Sequence, residues 1–272
     1  MIVDAHQHFW QVGENGFEWP TPDLAPIHRD FVVDDWLAEA AATGVTHSIA
    51  VQSQPSDADT DWLLDVAEAA PSVLGVVGWA DFEAPDAAAR IAALASRPKL
   101  LGFRPMLQSL PIDWIAKCEI RPALDAMEEH DLAFDALIFA RHAPALVEVL
   151  KTRPNLRVVV DHGAKPPIAA GGSDEWYWAI ARLSELPNVH CKISGLLTEA
   201  EPGAIDLELR SYVAHLVECF GVDRLMWGSD WPALLLAGSY REWLEMADRL
   251  TGFSPVDRDA LFAGNARRFY RC

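Results

Sequence analysis

Ile2-Val3-Asp4-Ala5-His6-Gln7-His8-Phe9, at the start of this 272-residue chain, is the stretch from which we predict the fold. Its apolar beginning indicates a short buried strand, and two imidazoles at positions i and i+2 of a strand lie on the same face. His6 and His8 therefore converge on one point. Burying both without partners would cost several kcal/mol, so we expect further polar groups at the same place.

Seven further segments have the composition of buried strands, and helical patterns alternate with them. The strands are predicted over residues 46–53, 74–82, 100–105, 132–139, 156–162, 189–194 and 225–230. The helices are predicted over residues 34–43, 57–70, 86–96, 122–130, 143–152, 174–186, 206–220, 239–250 and 255–270. Eight strand–helix units in a chain of this length indicate an α/β fold, a single (β/α)8 TIM barrel domain over residues 1–272. No G-x-G-x-x-G follows the first strand, which argues against a dinucleotide-binding sheet.

Residues 10–31 interrupt the first unit with a long irregular segment. It contains several glycines and prolines together with the aromatic residues Trp10, Phe17 and Trp19. Long loops in compact domains are usually functional or disordered, and this one has too many aromatic residues for disorder. We therefore expect it to be an ordered loop.

The charge of the chain limits its partners. It has 22 basic and 40 acidic residues, a formal net charge of −18. Binding to nucleic acid or to an anionic membrane needs a concentrated positive field, so neither is expected. A small-molecule substrate fits better, and self-association into a homo-oligomer is left open.

Cysteine use and the N-terminus suggest a cytoplasmic protein. Cys118, Cys191, Cys219 and Cys272 lie far apart without a CxxC pair, so neither a disulfide framework nor a thiolate zinc site is expected. No signal peptide is visible, and no apolar run reaches the about 18 residues of a membrane span.

Polar residues stand near the carboxyl ends of the predicted strands. Besides His6 and His8 they are Gln52, Asp81, Arg104, Asp135, His162, Lys192, Ser194 and Asp230. In a (β/α)8 barrel these ends meet at one mouth, where catalytic groups are found. We therefore expect His6, His8, His162 and Asp230 to surround a single site.

Some polar residues near the strand ends, and one pair in the last helical segment, are expected to be structural or remain ambiguous. Asp161 precedes His162, so strand alternation predicts that it faces away from the mouth. Asp135 lies within its strand and is as well explained by buried hydrogen bonding as by a site role. Gly264-Asn265 is expected to mark a break in the last helical segment.

Several segments, taken together, resemble the amidohydrolase superfamily (amidohydrolase-related family 2). They are Asp4-Ala-His6-Gln-His8-Phe9, Val160-Asp-His162-Gly-Ala-Lys-Pro166, Lys192-Ile-Ser-Gly195, Trp227-Gly-Ser-Asp230-Trp-Pro232 and Gly264-Asn-Ala-x-x-Phe269-Tyr270. The resemblance runs along the whole chain. It is strongest to the sugar lactonases of the L-fuconolactonase and L-rhamnonolactonase types and to the related 2-pyrone-4,6-dicarboxylate lactonase.

The resemblance implies a (β/α)8 hydrolase in which Asp230 is the general base for water. It implies that His6, His8 and His162 bind a metal or orient the substrate. The fifth strand offers Asp135 where metal-rich members have a Lys or His, which argues against a binuclear centre. We expect that the activity does not require a metal. A single divalent ion such as Zn²⁺ could nevertheless bind His6, His8 and Asp230.

Ester hydrolysis needs a polarised carbonyl, a deprotonated water and a protonated leaving alkoxide. We expect His6, His8 and Arg104 to hold the carbonyl oxygen, and Asp230 or His162 to protonate the ring oxygen. No G-x-S-x-G motif is present, so a covalent acyl-enzyme is not favoured.

A neutral aldonolactone is the preferred substrate, and 2-pyrone-4,6-dicarboxylate is the second choice, because a dicarboxylate would need several clamping arginines. The predicted substrate-binding residues are Arg104, Gln52, Lys192, Trp19 and Trp231. The alternatives left open are a metal-dependent amidohydrolase or decarboxylase of the same superfamily and a barrel that binds without catalysis.

Overall fold

The computed structural model describes residues 1–272 and contains eight parallel strands. They are β1 (Ile2–Gln7), β2 (Val45–Val51), β3 (Val73–Gly78), β4 (Leu100–Phe103), β5 (Ala133–Ala136), β6 (Val158–Val160), β7 (Val189–Ile193) and β8 (Leu225–Trp227). They pair in sequence order, and hydrogen bonds from His8 N to Trp231 O (2.7 Å) and from Asp230 N to His6 O (2.8 Å) join the first strand to the last. The predicted TIM barrel is confirmed.

Helices surround the barrel. They are α1 (Val33–Thr43), α2 (Asp57–Ala69), α3 (Ala87–Leu94), α4 (Arg121–Glu129), α5 (Ala143–Lys151), α6 (Asp174–Ser184), α7 (Asp206–Phe220), α8 (Tyr240–Thr251), α9 (Pro255–Asp259) and α10 (Asn265–Tyr270). A π-helical turn over Ala260–Gly264 separates α9 from α10, so the predicted break before Asn265 is confirmed. None of these helices has the length and apolar character needed to cross a membrane.

All seven strands after β1 end earlier than the sequence predicts. β3 ends at Gly78, β6 at Val160 and β8 at Trp227, because the polar residues that follow leave the sheet. His162 and Asp230 have φ angles of 53° and 60°, in the left-handed region that non-glycine residues seldom adopt. Such conformations are concentrated at functional sites, where the surrounding structure holds them in place.

Two apolar clusters make up the core. The larger lies between the sheet and the helices, and the smaller fills the barrel interior with side chains such as Val3, Ile49 and Val159. Phe269 and Tyr270 of α10 belong to the interior cluster. The Phe269 ring also contacts His190 near the start of β7, so α10 closes the amino-terminal end of the barrel and leaves the carboxyl end for a site.

Candidate active site

The two imidazoles of β1 converge as predicted. His6 Nε2 lies 3.2 Å from His8 Nε2. His8 Nδ1 donates to Val51 O (2.8 Å), because a carbonyl oxygen can only accept. His8 Nε2 is therefore the ring nitrogen that faces the mouth.

Asp230 faces both of these histidines. Its Oδ1 lies 3.3 Å from His8 Nε2 and 3.7 Å from His6 Nε2. Gly228 permits this approach, since a Cβ at that position would lie 2.6 Å from His6 Cβ. The left-handed backbone of Asp230 then turns the carboxylate toward the mouth.

Asp4 joins β1 to the loop that carries Asp230. Its carboxylate accepts hydrogen bonds from Ser229 N (2.8 Å), Ser229 Oγ (2.6 Å) and Tyr240 OH (2.7 Å). Asp4 is not among the predicted site residues. Its neighbours Val3 and Ala5 belong to the interior cluster, so Asp4 faces the helices, and the register shift between Asp4 and Gln7 then directs His6 inward. Regular alternation from His6 therefore could not have identified Asp4.

His162 completes the group. Its Nε2 lies 3.7 Å from Asp230 Oδ1, and its Nδ1 shares a hydrogen bond of 2.8 Å with Ser194 Oγ. The ring lies directly against the backbone of Gly195, where a Cβ would be 2.6 Å from His162 Nδ1. The predicted convergence of His6, His8, His162 and Asp230 is thus confirmed.

The charges at this cluster follow from its surroundings. Burial opposes the ionisation of Asp230, but the neighbouring His162 and His8 outweigh burial and hold the pKa of Asp230 well below its ordinary value. Burial lowers the pKa of His162 to about 4. Burial, with the nearby Lys192, also lowers the pKa of His6 well below its ordinary value. At neutral pH an ionised carboxylate therefore faces the neutral imidazoles of His6 and His162.

Arg104 brings a positive charge to the same cluster. Its Nη1 lies 3.5 Å from His6 Nε2, and its Nη2 donates to Gln52 O. Gln52 Nε2 in turn donates to Arg104 O (3.0 Å). Gln52 is fully buried, so it braces the arginine and does not line the cavity.

A sealed network of ionisable side chains lies beneath the histidines. Lys192 Nζ contacts Asp135 Oδ2 (2.6 Å), Asp161 Oδ1 (3.0 Å) and His6 Nδ1 (3.1 Å), and Tyr270 OH donates to Asp135 Oδ2 (2.6 Å). Lys192, Asp135 and Asp161 are fully buried. Lys192 was expected to bind substrate, but the structure places its ammonium under the cavity.

The expected orientation of Asp161 is wrong. Its Oδ1 lies 3.3 Å from His6 Nδ1, inside the barrel, so it does not face away from the site. Val159 belongs to the interior cluster, so alternation along β6 places Asp161 inside the barrel, and the left-handed conformation of His162 then turns this next residue toward the same site. A carboxylate at the second nitrogen of His6 can fix the orientation of the ring.

A cavity of about 410 Å³ opens above the cluster, within the range of small-molecule sites. Its charged lining residues are Arg104, Lys165, Glu199 and Asp230, two of each sign. Lys165 is paired with Glu199 at 2.9 Å. The remaining lining residues are His8, Trp19, Ser53, Met106, Gln108, Ser109, Leu137, His162, Thr198, Ala233 and Leu236.

The two predicted aromatic contacts are placed differently. Trp19 is half-buried and lines the cavity. Trp231 is 1% exposed and packs against Phe9 and Phe31 below the mouth. A substrate in this cavity would therefore meet Trp19, whereas Trp231 supports the loop that carries Asp230.

The donor atoms of the cluster fit a single divalent metal ion. The three separations among His6 Nε2, His8 Nε2 and Asp230 Oδ1 are 3.2, 3.3 and 3.7 Å, close to the roughly 3.4 Å between ligands of tetrahedral zinc. His6, His162 and Asp230 form a second possible set. His8 Nε2 and Asp230 Oδ1 also lie 3.3 Å apart, so a single cation could bind both atoms.

Comparisons with known proteins place this geometry in context. The family profile described as amidohydrolase matches residues 3–272. An L-fucono-1,5-lactonase of Burkholderia ambifaria is 48% identical over 277 residues, covering 99% of this chain and 95% of that protein. An L-fucono-1,5-lactonase of Burkholderia multivorans is 33% identical, covering 98% and 95%.

A solved structure gives the same result for the fold. The crystal structure of an amidohydrolase from Burkholderia multivorans with bound zinc has a TM-score of 0.94 and 31% identity, and the match covers 100% of this chain and 99% of that one. The profile, the two relatives and this structure each match nearly the whole chain. With its barrel and its cluster of three histidines and an aspartate, the chain belongs to the amidohydrolase family.

Proposed function

We propose that this protein is a lactonase that opens the ester ring of a neutral aldonolactone of the L-fuconolactone or L-rhamnonolactone type. The observation that carries the proposal is the ionised Asp230, surrounded by imidazoles at the floor of a cavity with no excess charge. The names of the two relatives support the same reaction class.

Asp230 is the base in this proposal. Its carboxylate takes a proton from a water molecule while the water oxygen forms a bond to the lactone carbonyl carbon. A carboxylate with a lowered pKa is a weak base, so proton transfer must accompany carbon–oxygen bond formation. The charge that develops on the carbonyl oxygen then has to be stabilised.

Arg104, held beside the imidazoles of β1, supplies that stabilisation. The guanidinium lies beside His6 Nε2, at the edge of the cavity that His8 also lines. Donors held in place before the reaction stabilise an oxyanion without the cost of reorganisation. We propose that the carbonyl oxygen binds between Arg104 and the two histidines.

The ring oxygen leaves when its bond to the carbonyl carbon breaks, and it must gain a proton. Asp230 holds the proton taken from water, and His162 Nε2 lies 3.7 Å from it. Either group can deliver that proton to the ring oxygen. The hydrogen bond between Ser194 and His162 Nδ1 holds the imidazole in the required orientation.

A metal ion is not required in this proposal, because Arg104 already provides a positive charge near the carbonyl position. If a divalent ion is bound, His6 and Asp230, with His8 or His162, would hold it, and it would polarise the carbonyl and acidify water. The balanced charges of the cavity favour a neutral lactone over 2-pyrone-4,6-dicarboxylate. Arg104 and the paired Lys165 are its only lysine or arginine residues.

A screen of lactones with a pH indicator tests the proposal. We expect hydrolysis of L-fucono-1,5-lactone or L-rhamnono-1,4-lactone above the uncatalysed rate, with activity retained after dialysis against a chelator. Little activity is expected on 2-pyrone-4,6-dicarboxylate. Loss of activity on chelation, restored by one equivalent of Zn²⁺, would favour the metal-dependent alternative, and hydrolysis of neither sugar lactone would refute the proposal.

A further inference from the structure

The long loop between β1 and α1 is closed at its base and crosses the mouth of the barrel. Hydrogen bonds from Trp10 N to Phe31 O (3.0 Å) and from Phe31 N to Trp10 O (2.9 Å) join its ends. We call residues 11–30 the strap. Trp19 lies near its middle and lines the catalytic cavity.

A second cavity of about 350 Å³ lies beside the catalytic one. Four residues line both cavities and so form their common wall: Trp19, Ser53, Met106 and Ser109. Trp19 is the largest of them. A substituent on a substrate in the catalytic cavity could enter the second one only through this wall.

The second cavity has the chemistry of a sugar-binding subsite. Trp79, Phe82 and Trp114 line it, and its lining contains no lysine or arginine. Glu83, its carboxylate nearest to Trp114, is already bonded to Trp114 Nε1 (2.9 Å) and Lys117 Nζ (2.6 Å). Glu18 and Asp81 also line the cavity, so a wall of aromatic rings and carboxylates suits a neutral hydroxylated ring and disfavours an anion.

The position of Trp19 is fixed by Gln54, which is 1% exposed. Gln54 Oε1 accepts from Glu18 N (2.8 Å) and Trp19 N (3.2 Å). Gln54 Nε2 donates to Trp19 O (2.7 Å) and Ser53 Oγ (2.9 Å). Every hydrogen-bonding position of this amide is thus used, and three of its four bonds hold the strap at Trp19.

Gln54 is itself anchored. Asp59 Oδ2 accepts from Gln54 N (3.2 Å) and Ser53 N (3.0 Å), and Asp59 is fully buried in α2. The wall is therefore connected to a barrel helix through two layers of hydrogen bonds. The wall is held in place by these hydrogen bonds, unlike a loop tip that could move aside at little cost in free energy.

We propose that Trp19, held by Gln54, is a specificity-determining partition that limits the enzyme to single-ring lactones. Removing it joins the catalytic cavity to the aromatic second cavity, which then accepts a second sugar ring on the substrate. Gln54 acts as a positioning residue through Trp19. This inference rests on the proposed lactonase function.

The test compares L-fucono-1,5-lactone with the same lactone carrying one galactosyl ring on O-2, O-3 or O-4. The quantity measured is the ratio of kcat/KM for the two-ring lactone to kcat/KM for the single-ring one. We expect a low ratio in the unaltered protein and a rise of at least about tenfold, for one regioisomer or more, in Trp19→Ala and Gln54→Leu. Trp19→Phe should give an intermediate ratio.

Asp30→Ala is the matched control. Asp30 accepts from Val12 N (2.8 Å) within the strap, away from Trp19, so the ratio should stay unchanged. An unchanged ratio in a folded Trp19→Ala variant, an equal rise in Asp30→Ala, or an unaltered protein that hydrolyses both lactones equally would overturn the partition. An unaltered protein inactive on every sugar lactone would instead refute the proposed function, and this inference with it.

Discussion

Two polar layers lie one above the other in the barrel, and they differ in what their charges contact. The mouth layer contains His8, Arg104, His162 and Asp230, which line the cavity. The sealed layer below contains Asp135, Asp161 and Lys192, together with Tyr270, and the three charged residues are fully buried. His6 connects the layers, with Nε2 toward Asp230 and Nδ1 toward Asp161 and Lys192.

Carboxylates that are equally buried differ in pKa because their partners differ. In the sealed layer one ammonium serves two carboxylates. Burial raises the pKa of Asp135 despite its contact with Lys192, whereas Lys192 and His6 overcome burial and lower the pKa of Asp161. Charges of the mouth layer can act on a substrate, while those of the sealed layer act by positioning His6 and Arg104, whose Nη1 lies 3.8 Å from Asp161 Oδ2. We therefore expect the two layers to respond differently to substitution.

Asp230→Asn should have the largest effect. Removing the base is expected to lower kcat/KM on L-fucono-1,5-lactone by about 10³-fold or more, with a change in unfolding free energy near 1 kcal/mol or less. Progress curves and urea unfolding measure the two quantities. A variant that keeps a tenth of the activity would remove Asp230 from the proposed mechanism.

Lys192→Met should mainly change stability. It leaves Asp135 and Asp161 without their shared cation, and breaking a buried ion pair costs about 3–5 kcal/mol. Arg97→Met is the control, because Arg97 pairs with Asp65 and Glu68 on the surface, where loss costs about 1 kcal/mol or less. Urea unfolding measures both changes. Equal losses of unfolding free energy in the two variants would contradict the distinction between buried and exposed ion pairs.

Asp59 extends the comparison to a buried carboxylate that forms no ion pair. Burial raises its pKa to about 7 despite hydrogen bonds from Gln54 N and Ser53 N. A raised carboxyl pKa stabilises the protein fully below the unfolded value of 3.8, and this contribution is lost as pH rises through about 7. Between pH 5 and 8 the unfolding free energy of the unaltered protein should fall by roughly 2–3 kcal/mol more than that of Asp59→Asn. Parallel stability–pH curves for the two proteins would contradict this expectation.

Tyr270→Phe should have the smallest effect. It removes one hydrogen bond to Asp135 from the sealed layer, which is expected to cost about 2 kcal/mol of unfolding free energy while kcat stays within about twofold. Tyr177→Phe, in the half-buried part of α6, is the control and should change little. A fall in kcat for Tyr270→Phe without a loss of stability would mean that the sealed layer acts directly in catalysis.

The sequence alone determined the barrel and the group of residues at its mouth. Strand periodicity of two and the alternation with helices are local properties, and the ends of parallel strands must meet at one edge. These rules are sufficient to bring His6, His8, His162 and Asp230 together without coordinates.

Only the tertiary structure decided which polar residues face the cavity and which lie beneath it. The depth of Lys192, the inward position of both Asp161 and His162, and the contacts between Gln54 and Trp19 depend on a left-handed turn and on hydrogen bonds between distant segments. Such contacts leave no period in the sequence. The physical reason is that periodicity gives the face on which a side chain lies, whereas its depth and its partners are set by packing among all eight strands.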